Sequence, residues 1–219
     1  MAARLIHLMK SLTAPIPGGL AIATILSCAA FAAVSGSGMV TLLAIGTLMY
    51  PALINAGYPK SFAIGSLCAA GTLGIVIPPS IPLILYGFMT QTSIADLFIA
   101  GIGPALVLTL LMLGYAITRN LGLREVNWDF SYVLRSLKNG VLALLMSIII
   151  LGGIYTGYFT ATESAAVAVV YSIIVETLIH KEMKWDVLYE VISETTKLLG
   201  SLFPVLMIAL SLNVFLTYE

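Results

Sequence analysis

The sequence predicts an all-α, polytopic membrane protein whose helices are interrupted at two places. Three observations carry this. Of 219 residues, 60% are hydrophobic and only 9% charged, against about 25% charged in soluble domains. Mean hydropathy is +1.06. The apolar residues also fall in long unbroken runs rather than alternating as the lipid-facing strands of a barrel would.

Crossing the hydrocarbon takes about 20 apolar residues in a helix. The runs at 16–34, 39–55, 61–88, 97–117, 141–159, 162–179 and 198–217 meet or approach that length. The N-terminal stretch 1–10 carries Arg4 and Lys10, and no small-residue cleavage site follows a short apolar core, so no removable signal peptide is expected. Sidedness follows from the basic residues. If 16–55 goes in and returns, as two spans or as a re-entrant hairpin, then Arg4, Lys10 and Lys60 share one side. The next crossing reaches 90–96, which has no Lys or Arg. Later crossings bring Arg119, Arg124, Arg135, Lys138, Lys181, Lys184 and Lys197 back. All ten basic residues then lie on the side that the positive-inside rule assigns to the cytoplasm. Trp128 in 119–138, and Trp185 with Tyr189 in 181–197, suggest interfacial segments, the second an amphipathic helix of its own.

The first interruption is Ser35-Gly36-Ser37-Gly38, between two apolar helices. A turn there strips backbone groups of helical partners that lipid cannot replace, so a tip at membrane depth must be buried in protein or line a wet cavity. An ordinary extracytoplasmic turn is the alternative. The second is the run 71–82, Gly-Thr-Leu-Gly-Ile-Val-Ile-Pro-Pro-Ser-Ile-Pro. Pro78, Pro79 and Pro82 cannot bond the carbonyls of Gly74, Ile75 and Pro78, four residues back. Unwinding is expected, and bared carbonyls beside the hydroxyls of Thr72 and Ser80 suit a hard cation such as sodium. Between residues 11 and 117 the only carboxylate is Asp96, so a titrating core group for proton coupling is missing. Thr160 and Glu163 precede an apolar run with capping-box spacing, a structural role, with substrate or ion handling as the alternative.

Other chemistries fit poorly. Net charge is zero, so nucleic acid has no electrostatic footprint to follow. Cys28 and Cys68 sit in apolar runs far from His7 and His180, against metal binding. A buried serine protease would need a base that neither histidine supplies at membrane depth, and no phosphate-binding Gly-x4-Gly-Lys loop is present. A different secondary carrier or a channel remains the serious alternative, although the periodic ring of pore-lining polar residues that would favour a channel is not seen; a purely structural scaffold would not need the break at 71–82. No enzymatic activity is expected.

The stretches 32–38 (Ala-Ala-Val-Ser-Gly-Ser-Gly), 50–58 (Tyr-Pro-Ala-Leu-Ile-Asn-Ala-Gly-Tyr), 71–87 and 153–166 resemble the large membrane subunit of TRAP transporters, the tripartite ATP-independent periplasmic carriers. The run at 74–82 is the most specific part. The resemblance implies an elevator-type carrier of the bacterial inner membrane that takes up organic anions with sodium, such as C4-dicarboxylates or sialic acid. A periplasmic substrate-binding protein and a small four-helix membrane subunit would be its partners. It further implies a re-entrant hairpin whose tip meets a discontinuous transmembrane helix. Carried over, Ser35, Ser37, Gly74, Ile77 and Pro79 would hold sodium, with Gly36, Gly71 and Thr72 close by. Ser35, Gly36, Thr72, Pro78 and Ser80 would approach the anion. The expected organisation is a hairpin and broken-helix half-unit at 1–118, a cytoplasmic interfacial linker at 119–138, and following transmembrane helices at 139–219. The family has two inverted halves with one such pair each, so a single pair here predicts about half a subunit, unable to transport alone.

Overall fold

The computed structural model describes residues 2–122, 130–180 and 185–218, and all regular structure among them is helical. Contacts divide the chain into two units, 1–169 and 170–219.

The first unit opens with α1 (Ala2–Thr13), which the reading of apolar runs missed. It is too short to span, and it buries Leu5, Ile6 and Leu8 against its neighbours while His7 stays exposed. Helix α2 (Gly19–Ser35) is the hub, packed against α1, α3, α4, α5, α7 and α8. Its interior face uses small side chains, with Ala21, Ala23, Cys28 and Ala32 fully buried. Lipid supplies no hydrophobic drive between helices, so close approach through small residues is how such a bundle coheres. At 17 residues α2 is about 25 Å long, short of the roughly 30 Å hydrocarbon. It reverses at Gly36 into α3 (Gly38–Asn55), completing a helical hairpin. Ile45, Met49 and Leu53 of α3 are fully buried in the same core.

The predicted single run at 61–88 is three helices: α4 (Lys60–Gly71), the one-turn α5 (Leu73–Val76) and α6 (Ile81–Thr90). The proline-rich segment between α5 and α6 is extended at Ile77 and Ser80, with a cis bond joining Pro78 to Pro79. Unwinding is therefore what the missing amides produce. Helix α7 (Ile94–Arg119) crosses beside the break, its start capped by Ser93 Oγ accepting from the Asp96 amide at 3.3 Å. A Cβ placed on Gly18 would stand 3.0 Å from Asn120 Cβ, and Pro59 and Ser61 share a cavity with Arg119. The ends of α1, α3 and α7 thus meet on one side, with Asp96 at the far end of α7.

Helix α8 (Phe130–Tyr155) begins well before the predicted span and runs through 130–138 without a break. Its Gly140 faces the Leu8 side chain of α1. A turn with Gly157 at φ +74° leads to α9 (Ala161–Ile174). Thr160 and Glu163 form the expected capping box: Glu163 Oε2 accepts from the Thr160 amide at 2.8 Å and from its hydroxyl at 2.9 Å.

In the second unit α9 passes into a π-helical turn, Val175–Ile179, followed after the undescribed 181–184 by α10 (Trp185–Tyr218). The separate interfacial helix expected over 181–197 is corrected: from Trp185 the helix continues unbroken into the apolar run, because nothing between Val187 and Lys197 is a glycine or proline. The expectations for Arg124, Trp128, Lys181 and Lys184 fall on residues outside those described.

Candidate ion and substrate site at the hairpin tip

The site is built by two chain reversals that meet. Gly36 ends α2 in the left-handed region at φ +62°, a conformation that side chains disfavour. Its amide bonds back to Ala32, and its carbonyl accepts the Ile81 amide from the far side of the break at 3.1 Å. One hydrogen bond therefore joins the tip directly to the first residue of α6. The approach is tight enough that a Cβ on Gly36 would lie 2.6 Å from the Pro79 carbonyl oxygen. Gly74 does the same from the other strand of the break, where a Cβ would stand 2.7 Å from the Ser37 carbonyl oxygen and 2.8 Å from Gly38 Cα. No other residue type fits at either point.

Most of the residues expected at the ion are brought together. Ser35 is half-buried, and its hydroxyl pairs with Thr41 Oγ1 at 2.8 Å. Ser37 is extended, and its carbonyl accepts the Thr41 amide at 3.0 Å. Gly71 lies against Leu42 and Gly38 of α3. Pro79 reaches the tip through its carbonyl. Ile77 is half-buried in the extended stretch, its amide bonded to the Leu73 carbonyl. Thr41 was not singled out from the sequence, although it is fully buried. Its signal was positional: a hydroxyl one helical turn beyond Ser37 on a helix start returns toward the tip.

Three of the expected substrate residues point elsewhere. The Thr72 hydroxyl is exposed and donates to the Ala69 carbonyl of its own helix at 2.6 Å. Pro78 is buried against α7, its ring 3.6 Å from where a Cβ on Gly101 would be. Ser80 is fully buried, and its hydroxyl donates to the Ile75 carbonyl. That bond also alters the expected oxygen supply, because a carbonyl bared by Pro79 is taken up by a serine. Beside the tip lies a mostly apolar cavity of about 190 Å³ between Ser35, Gly36 and Pro79 on one side and Ile150, Ile154 and Ala165 on the other.

Chemically the tip offers the carbonyls of Ser37, Gly71 and Pro79 and the hydroxyls of Ser35 and Thr41. No cluster of three or more His, Cys, Asp or Glu occurs among the described residues. A donor set made only of neutral oxygens suits a hard cation of low charge and does not titrate near neutral pH.

A hairpin that meets a broken helix inside a helical bundle defines a membrane transporter of the secondary-carrier class. The comparisons with known proteins are more specific. Residues 1–219 match the model of the DctM component of the tripartite ATP-independent periplasmic transporter. The chain belongs to that family, the large permeases of TRAP transporters, and is an integral protein of the bacterial inner membrane. It is 42% identical over 208 residues to the C4-dicarboxylate TRAP transporter large permease protein DctM of Pseudomonas aeruginosa, covering 90% of this chain and 47% of that one. It is 39% identical over 197 residues to the ectoine/5-hydroxyectoine large permease protein UehC of Ruegeria pomeroyi, covering 89% and 46%. With the isethionate permease protein DctMQ of Oleidesulfovibrio alaskensis it shares 38% over 201 residues, covering 89% and 31%. The chain thus spans about half the length, or less, of these relatives.

Proposed function

We propose that this chain supplies a hairpin and broken helix of a sodium-coupled organic-anion uptake permease, with the tip as a sodium site. The observation that carries this is the meeting of Gly36 with Pro79 and of Gly74 with Ser37. It brings the Pro79 and Ser37 carbonyls against the two glycines, with the Ser35–Thr41 hydroxyl pair on the same hairpin tip and no carboxylate in the contact; in this reading these oxygens surround one cation. Such a site gains cation affinity only while the hairpin and the break are pressed together. Ion binding would therefore favour the closed arrangement and complete the wall against which an organic acid sits. The start of α3 adds unpaired amides to that wall, and anions are favoured at helix starts. The Ile81 amide, already given to Gly36, is not among them.

In this reading a periplasmic binding protein delivers the substrate and a small membrane subunit braces the permease. The relatives are named for C4-dicarboxylate, ectoine and isethionate, so membership of the family does not choose the substrate. A C4-dicarboxylate or a sugar acid such as sialic acid is the class proposed. The test is uptake into proteoliposomes by a full-length permease carrying these residues. A sodium gradient should drive labelled dicarboxylate or sialic acid inward, and a potassium gradient should not. Ser35→Ala should raise the sodium concentration for half-maximal uptake about tenfold, the loss of one hydroxyl ligand. Equal uptake in potassium would refute sodium coupling.

A further inference from the structure

The end of the first unit opposite the hairpin tip carries a second built feature. The loop after α3, the start of α4 and the end of α7 enclose a cavity of about 640 Å³ lined by Gly57, Ser61, Phe62, Tyr115, Arg119 and Asn120, among others. Beside it, an apolar groove of about 260 Å³ lies between α4 and α7 over Ile25, Gly65, Ala69, Leu111 and Met112. Phe62 and Tyr115 line both. Their rings stack at 6.1 Å, and Tyr58 extends the row, its ring 5.8 Å from that of Phe62.

Charge gives the polar end its sign. Residues 1–122 contain Arg4, Lys10, Lys60 and Arg119 but a single acidic residue, Asp96. Asp96 lies in the first turn of α7 and Arg119 in its last. Among the described residues Arg119 has no carboxylate partner. A guanidinium lining a polar cavity beside apolar protein can take a phosphate through paired N–H donors. The apolar end has its own requirement. Phe62, Gly65, Ser66 and Ala69 fall on one face of α4 over two turns, and Leu111, Met112 and Tyr115 face them from α7. The Ser66 hydroxyl is satisfied by the Ala63 carbonyl at 3.1 Å, so the groove needs no polar guest. A Cβ on Gly65 would meet nothing within 4 Å. The glycine leaves room without drawing a neighbour in.

We propose that this pair of cavities binds a phospholipid with an anionic headgroup, its phosphate on Arg119 and an acyl chain along the α4–α7 groove. The position agrees with the side to which the basic residues assign the cytoplasm, where anionic lipids bind basic pockets between helices. Aromatic rings at the junction suit the headgroup boundary.

The test uses the purified chain in detergent and native mass spectrometry after exposure to phosphatidylglycerol, phosphatidylcholine or glycerol 3-phosphate. Phosphatidylglycerol should be retained over phosphatidylcholine. Arg119→Gln should lower its retention at least about fivefold, and Arg119→Lys should restore much of it. Lys10→Gln, a basic residue outside the cavity, should leave it unchanged. Gly65→Leu, filling the groove, should lower it about tenfold or more without altering helical content by circular dichroism. Equal retention of phosphatidylcholine would overturn the proposal. So would full retention by Gly65→Leu, or glycerol 3-phosphate competing as well as the lipid, since either would make the site one for free phosphate.

Discussion

Two sets of glycines in the first unit meet opposite surroundings. At the hairpin tip Gly36 and Gly74 exist because another backbone occupies the space where a side chain would be, 2.6 and 2.7 Å away. Around the cavities between α4 and α7, Gly57, Gly65 and Gly122 have nothing within 4 Å of where theirs would be, although Gly18 and Gly19 at the start of α2 are as crowded as the tip. The first pair lets the two broken segments come into direct backbone contact. The second set leaves space. A composition count treats these glycines as equal, yet one group is under compression and the other borders a cavity. The tip is neutral and closed, whereas the far end is cationic and open. This is the division expected if the first binds a small ion between protein surfaces and the second faces the membrane boundary.

The largest effect expected from breaking this contrast is at Gly74. Leucine there would push its Cβ into the Ser37 carbonyl and Gly38, parting hairpin from break, at a cost of about 1–3 kcal/mol for overpacking. In a full-length permease, sodium-dependent uptake should fall below detection while membrane insertion persists. Retained uptake with an unchanged sodium requirement would show that the closeness of the two segments is not what binds the ion.

Next in size is Thr41→Val, which keeps volume but removes the partner of the Ser35 hydroxyl. Because Thr41 is fully buried, the loss should cost about 1 kcal/mol in stability. It should also weaken apparent sodium affinity several-fold, read as the shift in half-maximal sodium for uptake. If stability falls but sodium affinity holds, the hydroxyl pair belongs to packing and the carbonyls alone supply the site.

The legibility of these features follows the same physics. Proline and glycine act locally, through a missing amide and a missing Cβ, so the breaks at Gly36 and at 77–80 could be read from residue order alone. The capping box at Thr160 and Glu163 was likewise local, three residues apart. The destinations of the hydroxyls were not. Thr72 and Ser80 turn to the carbonyls of Ala69 and Ile75, a choice made by rotamer and packing that spacing does not record. Thr41 was overlooked because it lies in an apolar run, and its importance comes from a contact across the turn. Helix α1 was missed because searching for spans ignores a helix of 12 residues that hides only one face. The separate helix at 181–197 failed because charge suggested a boundary where the backbone, lacking glycine or proline, saw none.

A smaller effect is expected away from both ends. Glu163→Ala removes the carboxylate that accepts from the Thr160 amide and hydroxyl, and with it part of the cap at the start of α9. Thermal unfolding in detergent should shift downward by a few degrees, with the sodium requirement for uptake unchanged. A change in sodium requirement would instead draw the start of α9 into the functional site and blur the contrast between tip and remainder.

The smallest effect also separates the two kinds of glycine most cleanly. Gly65→Ala adds a methyl group to open space on α4 and removes a residue that favours the unfolded chain. Stability should therefore rise by about 0.5–1 kcal/mol. The same substitution at Gly74 should lower it, although both residues lie in helices of one broken span. Measuring the two side by side in one background cancels the propensity term, which is common to both, and leaves only what each methyl meets. If both variants gain stability, the Gly74 contact yields to small backbone shifts, and the tip is looser than a cation site of carbonyl oxygens requires. If both lose it in lipid-free detergent, the methyl at Gly65 meets a neighbour after all, and the contrast between the two glycines fails.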